Sequence, residues 1–315
     1  MRKVHLLAIA GMLVVSTVYA TVVRENFTTN PALDGWRVFG NTNLFQWDAT
    51  NRVLEVTWDS TQTNSYFGCP LGRTYTRADG FYVRFDVQLS DATAYNGGME
   101  LAIGLLHYFD ATNSSFSRAD FNSPNVCEFD YFPQFSYSGT VYPNSAEASL
   151  VDASGLDLYF ASDNLTLNPG VTYRVELIHQ AGAGAITCDV SARGQLLSSL
   201  PIAGTYGVVG DFQLDTLAVI NYTDDGYGDS ILAHGRVGNL AFASPLPIGL
   251  IETAAAGQVW FASDTNWQYT LEASADMQHW ATVAPVSFGN GTNLVVQATN
   301  PPANQGSYRV RAELP

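Results

Sequence analysis

From residue 21 to about residue 244 the chain is a series of short segments that alternate large apolar with polar residues. Gly, Asn, Asp and Pro separate them. Phe81-Tyr82-Val83-Arg84-Phe85-Asp86-Val87-Gln88 sets Phe81, Val83, Phe85 and Val87 on one face, and Val171-Thr172-Tyr173-Arg174-Val175-Glu176-Leu177 does the same. Successive side chains of a strand point to opposite faces, so each segment reads as a strand with one buried side. Residues 52–58, 99–106, 156–160, 186–190, 195–200, 214–222 and 235–243 extend the series. Arg193-Gly194 reads as a hairpin turn within it. No window beyond residue 20 sustains a 3.6-residue period. About a dozen strands joined by regular turns predict an antiparallel all-β sandwich or barrel.

The two ends of the chain read differently. Met1-Arg2-Lys3 precedes an apolar run over residues 4–18, and Val18-Tyr19-Ala20 follows. A basic start, a short apolar core and a small residue before the break predict a cleaved secretory signal over residues 1–20. The run falls short of the roughly 20 residues that a membrane-spanning helix needs, and no later stretch is apolar enough to cross. A secreted protein, extracellular or at the cell surface, is expected, with no membrane span after cleavage. Ser244-Pro245-Leu246-Pro247 interrupts the strand pattern and marks a boundary. Residues 21–244 then form the main domain, and residues 248–315 a small β-module. The module has its own aromatic set, Trp260, Phe261, Trp267, Tyr269 and Trp280. A unit of that size is expected to lean on the larger one for stability.

Charge narrows the choice of partner. The chain carries a formal net charge of −15, which removal of Arg2 and Lys3 with the signal moves to −17. Lys3 is the only lysine. Phosphate neutralisation requires clustered Lys and Arg, so nucleic acid is not an expected partner. Cys69, Cys127 and Cys188 lack CxxC spacing, which disfavours zinc. One disulfide with a leftover thiol, and three buried free thiols, both remain open.

The stretch with most chemical content is Asn125-Val126-Cys127-Glu128-Phe129-Asp130-Tyr131-Phe132-Pro133. Carboxylates at i and i+2 on a strand share one side of the sheet, so Glu128 and Asp130 form a pair. Tyr131 is out of phase with them. A second pairing sets Glu100 opposite Glu128 from a neighbouring strand. The scattered histidines show neither metal nor triad spacing. Asp224, Asp225 and Asp229 crowd one turn with hard oxygen ligands, a candidate Ca²⁺ site. Sugars stack on aromatic rings and give their hydroxyls to carboxylates. Trp58, Tyr66 and Tyr108 are therefore grouped with Glu128 and Asp130 as candidate ligand-binding residues.

Several of these segments, with Glu25-Asn26-Phe27, Asp34-Gly35-Trp36 and the closing Gly235-Arg236-Val237-Gly238-Asn239-Leu240, resemble a concanavalin A-like (laminin-G/glucanase) jelly roll. The resemblance implies a jelly-roll sandwich whose first and last strands meet. The family's final strand often reads Gly-x-Val-Asp-Asn; here Gly238 stands in place of the aspartate. Retaining glucanases of this class carry Glu-x-Asp-x-Glu or Glu-x-Asp-x-x-Glu, with two carboxyl groups about 5–5.5 Å apart. Glu128 and Asp130 match the first two positions, whereas Phe132 and Pro133 stand where the acid/base belongs. The tail, through Tyr269–Ser274 with Asp276, Trp280 and Ser307–Arg311, is similar to a C-terminal module of secreted proteins from Verrucomicrobia-type bacteria. That likeness implies a bacterial source and cell-surface association through the module. The expected function is non-catalytic, lectin-like carbohydrate binding, with a glycan or polysaccharide as partner. The alternatives are a glycoside hydrolase of jelly-roll type, using Glu128, Asp130 and Glu100, and a structural surface or adhesion protein.

Overall fold

A computed structural model describes residues 21–95, 99–120, 122–155, 158–181, 185–203, 209–228, 230–244, 252–253, 258–263, 265, 267–274, 280–299 and 307–313. The expected signal and the Pro245–Pro247 boundary lie outside these residues. In chain order the strands are β1 Thr21–Glu25, β2 Arg37–Phe39, β3 Phe45–Asp48, β4 Val53–Asp59, β5 Ser65–Tyr75, β6 Phe81–Ala94 and β7 Leu101–Leu106. After a one-turn α-helix, α1 Tyr108–Ala111, come β8 Val126–Phe132, β9 Phe135–Tyr137, β10 Thr140–Tyr142, β11 Ser145–Val151 and β12 Leu158–Asp163. Then follow β13 Thr172–His179, β14 Ala185–Ala192, β15 Gln195–Ala203, β16 Leu214–Asn221 and β17 Ile231–Ser244. The tail adds β18 Glu252–Thr253, β19 Gln258–Ala262, β20 Gln268–Ser274, β21 Ala281–Thr282, β22 Ser287–Phe288, β23 Asn293–Gln297 and β24 Ser307–Glu313.

The fold is an all-β, antiparallel jelly-roll sandwich with a small β-module at its C-terminal end. The first sheet runs β15-β14-β13-β6-β17-β4-β3, with β1 paired to β17; the second runs β12-β11-β8-β7-β16-β5-β2. The first and last strands meet, Thr21 opposite Ser244 and Glu25 opposite Leu240. Arg193 and Gly194 both adopt positive φ, 52° and 77°, as a two-residue hairpin between β14 and β15 requires.

Alternation explains the core. Phe81, Val83, Phe85, Val87 and Leu89 of β6 all turn inward, as do Leu54, Val56 and Trp58 of β4. Phe85 meets Phe129 across the sandwich at 6.0 Å, and Trp36 stacks on Phe67 at 4.9 Å. Cys69, Cys127 and Cys188 are buried free thiols, each pushed above its ordinary pKa first by burial. No disulfide forms among them.

The outer faces of the two sheets are used differently. On the first sheet Tyr82, Ala241 and Ala243 point away from the sandwich core, and they join a second cluster with Val259, Phe261, Trp267, Tyr269 and Leu271 of the tail. Trp267 meets Tyr82 edge-on at 5.3 Å. The tail therefore covers this face, burying apolar surface that neither part could hide alone. Trp267→Ala should cost the tail about 3–5 kcal/mol, the usual loss for a buried tryptophan. Limited proteolysis should then cut within residues 252–313 faster while the sandwich keeps its unfolding transition. An equal loss in the sandwich would show that the two parts unfold as one.

Candidate functional site

Strand β8 is buried on both faces. Cys127, Phe129 and Tyr131 enter the sandwich core, whereas Glu128 and Asp130 point out of the second sheet and yet have no exposed surface. Register builds a cluster around them. Gly104 and Ser149 lie opposite Glu128, and Ala102 and Glu147 lie opposite Asp130. Partners in antiparallel register share a face, so one patch gathers Glu128, Asp130, Glu147 and Ser149. Glu100 joins it just before β7, and the carboxylate oxygens of Glu100, Glu128 and Asp130 come within 4.8 Å of one another. Gly104 permits the close approach: a Cβ there would lie 2.3 Å from the Cys127 carbonyl and 2.5 Å from Glu128 Cα.

Residues 107–120 and 122–125 cross this face and roof the cluster. Asn125 closes the crossing in the left-handed region, at φ 60°, where its carbonyl accepts from His107 N at 3.0 Å. The Tyr66 hydroxyl donates to the Ala111 carbonyl at 2.9 Å, and Phe116 stacks on Tyr222 at 6.2 Å. Further along, Ser117 Oγ donates to Asp225, and Tyr227 Oη donates to Asp120 at 2.6 Å.

This segment lowers Arg118 into the acids. Its Nε donates to Glu100 Oε1 at 2.8 Å, and Nη2 donates to Ser149 Oγ at 2.9 Å. Nη2 also reaches Asp130 Oδ2 at 3.5 Å, and Nε comes within 3.4 Å of Glu128 Oε1. Ser149 Oγ donates to Asp130 at 2.7 Å and Tyr222 Oη to Glu128 at 2.7 Å. Glu128 Oε1 and Asp130 Oδ1 still lack hydrogen bonds among the described residues. One guanidinium thus faces three carboxyl groups away from water, with the half-buried Glu147 beside them, and charge is shed by keeping protons. Burial, only partly offset by Arg118, lifts the Glu128 carboxyl to about 7. Burial, with the Glu128 charge second, lifts Asp130 well above the usual carboxylate range. Burial likewise lifts Glu147 to about 7.

A groove of about 480 Å³ opens beside this roof, on the same face, over β2, β5 and β16. Arg37, Phe39, Tyr66, Arg73, Tyr108 and Asp215 line it. Phe39 stacks on Tyr66 at 5.7 Å and meets the half-exposed Tyr108 edge-on at 6.4 Å. Asp215 holds the rim: its Oδ1 accepts from Tyr108 N at 2.9 Å, and its Oδ2 lies 3.5 Å from His107 Nε2. His107 Nδ1 lies 2.8 Å from Asp110 Oδ2, which fixes the ring between two carboxylates. Gly68 keeps the floor low, because a Cβ there would come within 2.9 Å of Thr216 Cγ2.

The expected site residues fall into four places. Glu128, Asp130 and Glu100 come together, but buried under Arg118, so the expected acceptance of hydrogen bonds from sugar hydroxyls by Glu128 and Asp130 is corrected. Tyr66 and Tyr108 line the groove, Tyr66 mostly beneath its surface. Trp58 has no exposed surface, because its strand phase turns it into the sandwich core, and its expected ligand contact is corrected too. The candidate Ca²⁺ turn serves the loops instead. Asp224 accepts from Gly226 N at 2.9 Å, Asp225 accepts from Ser117, and Asp229 lies outside the described residues. The buried acidic triad has a metal-like spacing, but Arg118 already supplies the positive charge there.

Arg118, Glu147, Ser149, Tyr222, Arg37 and Asp215 escaped the sequence reading. For Arg118 one signal existed. It is one of few cations in an acidic chain, and it stands in a Ser-Phe-Ser-Arg-Ala-Asp stretch with no strand pattern to place it.

No family model matches this chain, and no curated protein sequence matches it. Among solved structures it is similar to winged bean acidic lectin complexed with methyl-α-D-galactose, at TM-score 0.47 and 11% identity, over 72% of this chain and 98% of that one. Peanut lectin with a 9mer peptide gives TM-score 0.46 and 10% identity, over 75% and 100%. Lectin II from Ulex europaeus gives 0.45 and 13%, over 71% and 98%. At this distance nothing about ligand or site is carried across.

Two outcomes follow from the cluster. Arg118→Met leaves buried carboxyl groups without their cation, a change that typically costs about 3–5 kcal/mol. Denaturant unfolding should show that loss at pH 8 and a smaller one at pH 5, where protonation relieves it; equal losses at both would contradict the charge argument. In the intact protein, raised folded-state pKa values mean that the native state holds protons the unfolded chain releases. Their contribution is complete below the ordinary carboxylate range, near pH 4.5, and is lost as pH rises through about 7. Melting temperature should therefore fall between pH 5 and 8, and Glu147→Gln should flatten the slope.

Proposed function

We propose that this is a secreted, non-catalytic glycan-binding protein that holds a sugar chain in the groove lined by Phe39 and Tyr108. The observation that carries the reading is the contrast on one face of one sheet. The carboxylates that a jelly-roll hydrolase would use are sealed beneath Arg118, while the adjoining groove is open, aromatic-walled and edged with polar groups. A glycosidase needs a carboxyl group within reach of the leaving-group oxygen. A binding groove needs apolar surface for the sugar ring and a few fixed polar groups, and this one has both.

Secretion rests on the basic, apolar and small-residue pattern of residues 1–20. The division into a signal, a binding domain over residues 21–244 and a module over residues 248–315 belongs to the same reading. Association with the cell surface through the tail fits a module whose apolar side is taken up by the sandwich.

A glycan array combined with a reducing-sugar assay tests this. Binding without sugar release is expected, and Tyr108→Ala should weaken it roughly three- to tenfold, the scale of one aromatic contact. Sugar release that depends on Glu128 would replace this reading with a hydrolase. Neither binding nor release would favour a structural or adhesive role.

A further inference from the structure

The groove carries a charge opposite to that of the chain. Acidic residues outnumber Lys and Arg by 29 to 14, yet two guanidiniums, Arg37 and Arg73, line the groove against a single carboxylate, Asp215. Asp215 is already engaged, accepting from Tyr108 N at 2.9 Å and from Thr216 Oγ1 at 2.8 Å. Arg73 is partly engaged: it lies 2.9 Å from Asp79 Oδ1 and sits over the Tyr75 ring at 4.1 Å.

Arg37 differs from both. It stands on β2 opposite Gly68, at the open side of the groove, and is exposed. Among the described residues no carboxylate pairs with it. Some guanidiniums of the sandwich surface do find one, as Arg77 finds Asp211, Arg174 finds Asp86 and Arg236 finds Glu55; Arg52, Arg84 and Arg193 have no such pair among the described residues either, but they do not line the groove, and Arg37 does. In so acidic a chain a free guanidinium beside an aromatic wall is available to an anion from outside.

We infer that the groove takes an acidic polysaccharide, whose uronate carboxylates pair with Arg37 while its rings pack on Phe39 and Tyr108. This rests on the glycan-binding reading above. The planar guanidinium fork matches a carboxylate with two parallel hydrogen bonds, which a neutral sugar does not offer. Repulsion by the rest of the chain does not forbid it. Charges beyond about 10 Å are screened at 0.1 M salt, so the local pair decides.

The test is titration of the full chain, at roughly 0.1 M salt, with oligomers of polygalacturonate and polyglucuronate, with their methyl esters and with dextran sulfate. At least one uronate should bind, and its ester about tenfold or more weakly, the scale of a lost charge-assisted hydrogen bond. Arg37→Gln should abolish the difference between acid and ester while leaving the melting temperature unchanged. The acid–ester comparison on the unaltered protein needs no variant, so a misfolded Arg37→Gln would not obscure the result. Equal affinity for acid and ester, or neutral glycans binding while neither uronate does, would overturn the inference and leave the glycan reading standing. Dextran sulfate binding through Arg37 as tightly as the uronate would overturn the carboxylate assignment. If neither acidic nor neutral glycans bind, both readings fail.

Discussion

Arg118 is the contact on which the site depends. Burying a charge is costly unless it is paired and hydrogen-bonded, and here one cation serves several acids. Glu100 and Ser149 take its hydrogen bonds, while Glu128 and Asp130 lie at longer range. The shortfall is met by protons held on the carboxyl groups. Residues 107–120 owe their course to the same contact, since Phe116, Ser117 and Asp120 brace the segment on either side of the arginine. By roofing the centre of the sheet, that segment also becomes one wall of the groove.

Strand β8 shows how one strand can serve two environments. Its inner residues meet the other sheet, as Phe129 meets Phe85, and its outer carboxylates meet a loop. A sandwich whose outer face was open to water would leave Glu128 and Asp130 solvated and ordinary. Closure is what shifts their protonation, and closure also separates them from any ligand. Replacing such a polar cluster with apolar residues is often neutral or stabilising in other proteins, so its presence here is not explained by stability alone.

Much of the fold was legible because period-2 alternation is a local property. The strand carrying Phe81, Val83, Phe85 and Val87, the Arg193-Gly194 turn and the shared side of Glu128 and Asp130 each follow from a few adjacent residues. The expected edges were shifted by a residue or more, as for β17, which starts at Ile231 rather than 235. The site was less legible because it depends on register between strands far apart in sequence. Glu147 reaches Asp130 only through the pairing of β8 with β11, and Arg118 arrives on a segment with no periodicity at all. Trp58 shows the converse limit. An aromatic residue in an alternating strand belongs to one face or the other, and only the register with β17 and the packing of the sandwich decide which.

The two outer faces of the sandwich have opposite assignments. The tail occupies one through Trp267 and Tyr82, and the groove opens on the other. Thr21 and Ser244 are paired, so the chain enters and leaves the sandwich at the same place, on the tail's sheet. A molecule held by its tail would therefore turn the groove outward, away from whatever holds it, and a long polymer could lie across it without meeting the anchor.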